Sequence, residues 1–523
     1  MYRCSLPRSR SLRIAALTAC LALTAFDGPA SPELPAQAFF GIRAVDDRTG
    51  RGIPLVEFET VHRVRFVTDN AGWVAFLEPG LMNRPVFFHV RSHGYDAPKD
   101  GFGYASVVLT PRPGERAEVR MRRVNVAERL YRVTGEGLFR DSVLLGEPTP
   151  LREPLGTAQV AGQDSAFSVL YRGRIHWFWG DTTRVRHPLG QFWMAGAVSD
   201  PPGQGGLAPD VGVDLHYFVN AEGFSRPMAR MGVDRGLIWA DGFTTVRDAS
   251  GRERLVCHYA HMESLEKILG HGIAVYDDAR ETFERIAEFD LRELWRWPAQ
   301  AHPVRHTDEG VEYLLFGEVF PTSRVPATWE AFIDPDQYQA WTCLASGSTR
   351  EDPVPDRDAS GTLRWGWRRD VPPVDIGLEA TLLARGLIRR NEARYHPRDA
   401  ASDRTVTLHR GSIHWNPHRS RWVAIAVEIG GTTSHLGEVW YAEAPAPTGP
   451  WRKAVRIVTH NRYSFYNPVH HPAFDEQEGR RVYFEGTYVN TFSGNPDATP
   501  RYDYNQVLYR LDLDDPALVA ARE

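Results

Sequence analysis

The chain has 523 residues, of which 42% are hydrophobic and 24% charged, a composition that excludes a disordered or fibrous protein. Its net charge of −5 gives no electrostatic basis for binding nucleic acid, so no nucleic-acid partner is expected. The length predicts two to four domains. With 45 Gly, 37 Pro and 11% aromatic residues, the sequence predicts an all-β protein of short strands joined by turns.

Residues 1–37 are interpreted as a signal peptide and a short linker. An arginine-rich start precedes the apolar run 14–26 (IAALTACLALTAF), and small residues follow it. Acylation at Cys20 is an alternative, because LTAC fits a lipobox. Either interpretation predicts a secreted or periplasmic protein. No later stretch approaches the ~20 apolar residues of a membrane-spanning helix, so no transmembrane segment is predicted.

Residues 38–124 are predicted to form a β-sandwich. Apolar and polar residues alternate here, and turn signals such as Asp-Arg-Thr-Gly and Asp-Asn-Ala-Gly separate the alternating runs. VDDRTGRGIP and TDNAGWVAF resemble the carboxypeptidase-regulatory, transthyretin-like domains, and the resemblance implies a spacer or docking module. Residues 125–150 are interpreted as an ordered connector that packs on the next domain.

Residues 151–516 contain one type of strand five times, which predicts a five-bladed β-propeller. Radial repetition of small antiparallel sheets explains a recurring unit better than two stacked sandwiches do. The five copies are RIHWFWGD (174–181), RLVCHYAH (254–261), EYLLFGEV (312–319), RWVAIAVE (421–428) and RVYFEGTY (481–488). The strands expected to follow them are 193–200, 272–279, 338–345, 437–445 and 505–516.

The site is expected where the innermost strands surround the central channel. Polar residues at one end of these strands would line a funnel, and each strand is expected to open with an acid or an imidazole. The residues expected there are Asp164, Asp241, His302, His414 and His470.

Blade one predicts a pair of carboxylates. The two-residue turn Arg172-Gly173 sets an antiparallel register in which paired residue numbers add to 345, so Asp164 lies opposite Asp181. Cβ atoms in such a pair are ~4.5–5.5 Å apart, and like charges at that distance raise the pKa of one partner. An acid beside a base is what glycosidic cleavage requires. The alternative is structural, with both aspartates bonded to backbone.

Further site candidates come from equivalent positions and from the insertions. Counting along the second strands gives Asp181, His261, Glu428 and Tyr488, and Glu318 is the corresponding acid of blade three, one position early. Trp193, Arg324 and Tyr466 are interpreted as groups that stack on or hydrogen-bond to a sugar, together with the funnel histidines.

No metal site and no cofactor are predicted, although one structural cation in the channel is left open. His258 and His261 are three residues apart on a strand, which turns them to opposite faces and makes them poor chelators. Cys257 and Cys343 are too few for a disulfide framework or a zinc site, and are expected as buried thiols or as a single bridge.

Three parts of the repeat resemble five-bladed propeller glycoside hydrolases, a superfamily that includes arabinanases, β-xylosidases and fructosidases. They are QDSAFSVLYRGRIHWFWGDT, SIHWNPHRSRWVAIAVE with GEVWYAEAPAPTGPW, and NPVHHPAF with NQVLYRLDL. The Gly-Asp-Thr end of blade one is also similar to D-arabinan-cleaving propellers. The resemblance implies that Asp164 is the general base and that Asp241 tunes its partner. His302 stands where that family has its acid, so either Asp181 or Glu318 has taken this role or the site no longer hydrolyses.

The sequence therefore predicts a secreted glycoside hydrolase that cleaves a polysaccharide or its oligomers. Asp164 would be base or nucleophile, and Asp181 or Glu318 the acid. A gap near 5 Å between the carboxyl groups would favour retention and a wider gap inversion. A non-catalytic carbohydrate-binding propeller and a polysaccharide lyase using His with Tyr or Arg are the alternatives. The sequence indicates neither the sugar nor the oligomeric state.

Overall fold

The fold is built almost entirely of short β-strands. The computed structural model describes residues 38–296, 301–497 and 502–522, and the predicted signal peptide lies outside these ranges. Within them, no helix has the length and apolar character needed to cross a lipid bilayer. The α-helices are α1 (Arg140–Leu145), α2 (Trp329–Phe332) and α3 (Ile376–Ala384).

Two four-stranded sheets pack face to face at the N-terminal end. Both contribute to one buried core that includes Ile42, Phe58 and Val74. They lie in the region where the alternating pattern predicts a β-sandwich, and this pair of sheets is called the sandwich below. The strands are β1 (Phe40–Asp46), β2 (Glu57–Thr60), β3 (Arg65–Val67), β4 (Trp73–Phe76), β5 (Val86–Arg91), β6 (Tyr95–Asp96), β7 (Ser106–Leu109) and β8 (Arg116–Arg123). The order of strands is β4-β1-β8-β6 in one sheet and β3-β2-β5-β7 in the other.

Five larger sheets follow, each with four or five strands, and they form the blades of a propeller. Blade one also carries a small additional sheet of three strands, β10 (Val160–Gln163), β13 (Thr182–Arg184) and β14 (His187–Gln191). Between the sandwich and blade one runs β9 (Glu128–Arg132). Blade one contains β10 (Val160–Gln163), β11 (Phe167–Tyr171), β12 (Arg174–Trp179), β13 (Thr182–Arg184), β14 (His187–Gln191), β15 (Ala195–Ser199) and β16 (His216–Tyr217). Blade two contains β17 (Leu237–Arg247), β18 (Glu253–Ser264), β19 (Lys267–Asp277) and β20 (Thr282–Phe289). Blade three contains β21 (Val304–Asp308), β22 (Val311–Phe316), β23 (Ser323–Pro326), β24 (Gln339–Thr342) and β25 (Gly366–Arg368). Blade four contains β26 (Arg398–Asp399), β27 (Leu408–Asn416), β28 (Arg421–Glu428), β29 (Val439–Ala444) and β30 (Lys453–Val458). Blade five contains β31 (Ser464–His470), β32 (Arg481–Val489) and β33 (Asn505–Asp512).

Five hydrophobic clusters join successive blades into a closed ring. One cluster each lies between blades one and two, two and three, three and four, and four and five. The fifth joins blade five to blade one, and packs Leu130 and Tyr131 of β9 and Leu508 of β33 against Trp177 and Trp179 of β12. The predicted five-bladed propeller is therefore the fold of this chain.

The connector closes the ring, a role that the sequence did not predict. All five residues of β9 are buried, and β9 pairs antiparallel with β33 as the outermost strand of blade five. The blade thus combines strands from two distant parts of the chain, residues 128–132 and residues 464–512.

Blade three departs from the predicted strand order. The segment 338–345 was expected as its third strand, but β23 occupies that place and β24 is the fourth. The third strand is only four residues long and carries Arg324 and a proline, so it lacks the apolar alternation by which the other third strands are recognised.

Candidate active site

Asp164 and Asp181 lie together at a bulge in blade one. The predicted register holds from Tyr171 opposite Arg174 to Phe167 opposite Phe178. Beyond Phe167 the ladder breaks, because Ser165 has a φ of 53°. Pairing resumes between β10 and β13. The two aspartates occupy the break, where the backbone N–H of Asp164 donates to the carbonyl of Asp181 at 3.3 Å.

Hydrogen bonds fix the carboxylate of Asp164. Its Oδ1 accepts the backbone N–H of Asp181 at 2.9 Å, and its Oδ2 accepts the hydroxyl of Tyr466 at 2.9 Å. A Cβ on Gly180 would lie 2.4 Å from Oδ1, so glycine is required there. Burial raises the pKa of Asp164, while hydrogen bonds from Tyr504 and Tyr466 act in the opposite direction because they stabilise the carboxylate.

Asp181 is suited to hold a proton near neutral pH. Burial, followed by the charge of Asp164, raises the pKa of Asp181 to about 7. Its Oδ1 is buried and makes no hydrogen bond to any part of the chain that the structure describes. The two carboxyl groups therefore differ in environment: hydrogen-bond donors surround Asp164, whereas Asp181 has one unoccupied oxygen.

Glu318 lies after β22 and forms an ion pair with blade four. Its Oε1 is 3.1 Å from Nη1 of Arg410, and about half of its side chain is exposed. Its neighbour Gly317 permits the tight turn, because a Cβ there would lie 1.8 Å from the carbonyl oxygen of Phe320. Glu318 also lines a solvent-open cleft of about 1450 Å³, whose apolar walls include Leu291 and Leu294.

Asp241 lies in blade two, and His302 lies just before the first strand of blade three. Asp241 is 9% exposed and sits at a bulge in β17, where the N–H of Gly242 donates to the carbonyl of Ala301. The ring of His302 packs 5.0 Å from that of Phe167. Burial lowers the pKa of His302 to about 3, so the imidazole is neutral at pH 7 and is not a proton donor comparable to Asp181.

The histidines of blades four and five lie deeper than expected. β27 and β31 begin at Leu408 and Ser464, so His414 and His470 are not at the start of their strands. Their rings are 4.9 Å apart, and Nε2 of His470 is 2.7 Å from Oδ1 of Asp475. The funnel ends of these two strands instead carry Arg410 and Tyr466, because each strand extends several residues N-terminal to its histidine.

Four other candidates have partners within the fold. Glu428 is buried and holds Arg404 through both oxygens, one of them at 2.8 Å, and also accepts the indole N–H of Trp440 at 3.0 Å. Arg324 lies in β23 rather than in an insertion, and pairs with Asp308 at 2.6 Å.

The remaining two lie at the edge of blades one and two. Nε2 of His261 is 2.9 Å from the carbonyl oxygen of Arg235. Trp193 packs against the core between these blades, with the guanidinium of Arg230 5.5 Å from its ring centre.

Among the described residues, no group of three or more His, Cys, Asp and Glu side chains could hold a metal ion. Cys257 and Cys343 are both buried and free, so the single bridge left open by the sequence does not form.

Sequence reasoning missed Tyr504 and Arg410. Tyr504 lies in the insertion between β32 and β33, outside the repeated pattern, and has a φ of 64°. Arg410 lies in β27 four residues before His414, the residue at which the sequence predicts this strand to open. In both cases the signal lies in a long-range contact rather than in local spacing.

No protein-family model matches the sequence, and no protein of curated function matches it. Among solved structures, the chain is similar to an exo-β-1,3-galactanase from Phanerochaete chrysosporium (10% identity, TM-score 0.33, covering 68% of this chain and 61% of that one). It is also similar to an exo-1,5-α-L-arabinanase from a bovine ruminal metagenomic library (10% identity, TM-score 0.33, covering 67% of this chain and 93% of that one). A third similar structure is an endo-arabinase from Bacteroides thetaiotaomicron (11% identity, TM-score 0.30, covering 67% of this chain and 95% of that one). The resemblance of residues 38–124 to carboxypeptidase-regulatory domains stays a prediction.

Proposed function

We propose that the protein is a glycoside hydrolase that cleaves a polysaccharide or its oligomers in the propeller funnel. One observation carries the proposal. Burial and the charge of Asp164 raise the pKa of Asp181 to about 7, and Asp164, which lies beside it, is a carboxylate held by two tyrosines. Glycosidic cleavage needs one carboxyl group that can protonate the leaving oxygen and one that is ionised at the same pH.

In this proposal Asp181 is the acid and Asp164 the base or nucleophile. The proton of Asp181 passes to the glycosidic oxygen, while Asp164 attacks the anomeric carbon or removes a proton from the attacking water. Tyr466 and Tyr504 orient Asp164 and stabilise its negative charge. Asp241, at the bulge of β17 in blade two, is assigned to substrate binding in this proposal.

Asp181 is favoured over Glu318 as the acid. One oxygen of Glu318 is 3.1 Å from Nη1 of Arg410, and about half of the side chain is exposed to water. Asp181 has the buried, unoccupied oxygen that a proton donor needs. Glu318 is assigned to substrate binding with Arg410, next to the cleft that it lines.

We also propose that the enzyme is exported, on the strength of the apolar run 14–26 with its arginine-rich start and the small residues after it.

Digestion of defined glycans tests the proposal. The full chain and Asp164→Asn are incubated with arabinan, galactan, xylan and fructan, and both reducing ends and the absorbance of new double bonds are followed. Reducing ends without absorbance are expected from the parent enzyme, with a loss of at least about 10³-fold in the variant because nucleophilic or base catalysis is removed. Asp200→Asn is the matched control, since Asp200 pairs with Arg174 at the opposite end of blade one.

Three results would contradict the proposal. Unsaturated products would indicate a lyase. Glycan binding without any product would indicate a non-catalytic binding protein. Cleavage by Asp164→Asn at the parent rate would remove Asp164 from the chemistry.

A further inference from the structure

One outer face of the sandwich combines aromatic rings with ion pairs. Along β5, Phe88 and Val90 are buried in the core, so Phe87, His89 and Arg91 face outward by the alternation of a strand. The rings of Phe87 and His89 are 4.8 Å apart, and that of Tyr104 lies 6.1 Å from His89. The side chain of Tyr104 is 58% exposed.

Charged side chains continue this face along the neighbouring strand. Glu57 and Glu59 of β2 alternate with the buried Phe58, so they point to the same side as Arg91. The Arg91 guanidinium bridges the two glutamates, at 2.9 Å to Glu59, and Arg65 lies 2.7 Å from Glu59. We call Phe87, His89, Tyr104, Arg91, Glu57 and Glu59 the platform.

The charged end of the platform opens into a cleft between the sandwich and blade five. The cleft holds about 1640 Å³, part of it open to solvent, and Glu57, Arg65 and Arg91 form one wall. His93 and Tyr488 support its floor, with 3.1 Å between Nδ1 and the hydroxyl oxygen.

Blade five supplies the opposite wall with exposed polar groups. Arg462 lines the cleft. Asn461 and Asn495 add amide donors and acceptors. The cleft thus offers hydrogen-bonding groups from both sides to a molecule rich in hydroxyls.

Residues 492–495 lie near both the funnel and the cleft. The ring of Phe492 lies 5.9 Å from that of Tyr466, whose hydroxyl bonds Asp164, and Asn495 three residues later lines the cleft. The side chain of Phe492 is 62% exposed. A chain molecule leaving the funnel over Phe492 would therefore reach the cleft and then the platform.

We propose that the platform and the adjoining cleft bind a second stretch of the polysaccharide while another stretch occupies the funnel. The proposal rests on the proposed function for the class of ligand. Aromatic faces attract the positively polarised C–H edges of sugar rings, and carboxylate and guanidinium groups bond hydroxyls. A protein partner is disfavoured because the cores of protein interfaces are depleted in charged residues, whereas charges occupy the middle of this surface.

Binding at two places raises the effective concentration of polymer at the funnel without altering the chemistry. The platform should therefore lower KM for long substrates and leave kcat unchanged. Short oligosaccharides, which cannot span both sites, should be cleaved equally well with or without it.

The first experiment measures binding without cleavage. Full-length Asp164→Asn is run on native gels containing arabinan, β-1,3-galactan or xylan, and compared with the same protein carrying Phe87→Ser and Tyr104→Ser. At least one polysaccharide is expected to retard the parent, with the double substitution weakening retardation about 10-fold or more. Trp415→Ser is the matched control, because Trp415 is a half-exposed aromatic residue of blade four, outside the platform and the cleft.

The second experiment uses the active enzyme and compares polymer with short oligomer. The double substitution should raise KM about 10-fold for the polymer and leave kcat and oligomer cleavage unchanged. Equal melting temperatures of parent and variant show that the substitutions leave the fold intact.

The outcomes separate this inference from the proposed function. Retardation that depends on the platform, without any cleavage by the active chain, would support the inference and overturn the hydrolase. Cleavage in which the double substitution leaves polymer and oligomer kinetics unchanged would overturn the inference alone. Retardation of the parent by none of the three polysaccharides would also overturn it, as would a change of oligomeric state in the double variant with unaltered glycan binding.

Discussion

Two aspartates on one bulge have different chemical roles because their hydrogen-bond donors differ. Asp164 receives the hydroxyl of Tyr466 and the backbone N–H of Asp181, and each bond favours the ionised carboxyl group. Burial raises the pKa of both aspartates, but in Asp164 these hydrogen bonds oppose it, whereas in Asp181 the negative charge of Asp164 adds to it. The register of β11 and β12 predicts Asp164 opposite Asp181, and the two residues do lie together, although the ladder itself breaks at Ser165 before it reaches them. The assignment of roles was not predictable, because it depends on tyrosines from blade five.

The pH dependence of activity should follow from this difference. Asp181, with a pKa raised to about 7, must be protonated to act as an acid, so kcat is expected to fall above pH 7. Replacing Asp181 with Asn should lower kcat at all pH values and remove this alkaline limb. A parent profile that stays flat from pH 6 to pH 9 would contradict the assignment.

The same group should affect stability. The pKa of Asp in an unfolded chain is about 3.9. Between about pH 4 and pH 7 the folded chain therefore binds more protons at Asp181 than the unfolded chain does. As a result, the free energy of unfolding falls as the pH rises through this range. Asp181→Asn should therefore stabilise the protein at pH 8 by about 1–4 kcal/mol and have little effect at pH 4. Urea unfolding at the two pH values measures the difference, and equal effects at both would contradict it.

Tyr504 is a positioning residue whose loss should alter the acid limb. Tyr504→Phe removes one donor to Asp164, so its pKa should rise and the acid limb of the activity profile should move to higher pH. The loss in kcat/KM should be about 10–100-fold, as for a hydrogen bond to a charged group. Tyr171→Phe is the control, because Tyr171 donates to Asp278 at the other end of β11. A uniform loss of activity with an unmoved limb would indicate a purely structural role.

At the level of strands, the sequence was informative where a repeat is regular and uninformative where it is interrupted. The second strands of all five blades were located, because a run such as Trp422 to Val427 has the length and apolar content of a strand buried on both faces. The third strand of blade three was missed, since it contains only Ser323–Pro326. β9 could not be recognised, because its partner β33 lies more than 370 residues away along the chain.

β9 contributes to the joint between blades five and one. Truncating a residue of β9 that is buried in this joint should therefore destabilise the protein more than is usual for a residue of a connector. Leu130 is fully buried in that joint, so Leu130→Ala should lower the free energy of unfolding by about 2–5 kcal/mol. Val143→Ala, at a 42% exposed position of α1, should cost less than about 0.5 kcal/mol. Denaturant unfolding decides, and similar small losses in both variants would contradict the closing role of β9.

At the scale of the whole molecule, the sandwich covers the free edge of the propeller. The side chain of Asn70 donates to the carbonyl of Arg132 at 3.0 Å and accepts its N–H at 2.9 Å, so a sandwich turn satisfies the outer edge of β9. A bare edge strand would otherwise present unpaired backbone groups to other chains. This coupling was not predictable from local pattern, since the sequence indicated only a spacer or docking module.

The coupling predicts cooperative unfolding. Calorimetry should show one unfolding transition for the sandwich and the propeller together. Asn70→Ala should lower the free energy of this unfolding by about 1–3 kcal/mol, because buried backbone groups lose their hydrogen-bond partners. Asn391→Ala, at an exposed position, serves as the control. Two transitions in the parent protein, with only the lower one moved by the substitution, would show that the two parts are independent.

The pairing of β9 with β33 also determines when the ring can close during synthesis of the chain. More than 370 residues separate β9 from its partner β33, so β9 has no strand to pair with until the ribosome has synthesised all of them. A chain that stops before residue 505 lacks β33, which leaves blade five unfinished and β9 unpaired. The ring can therefore close only after the four intervening blades and β33 have been made.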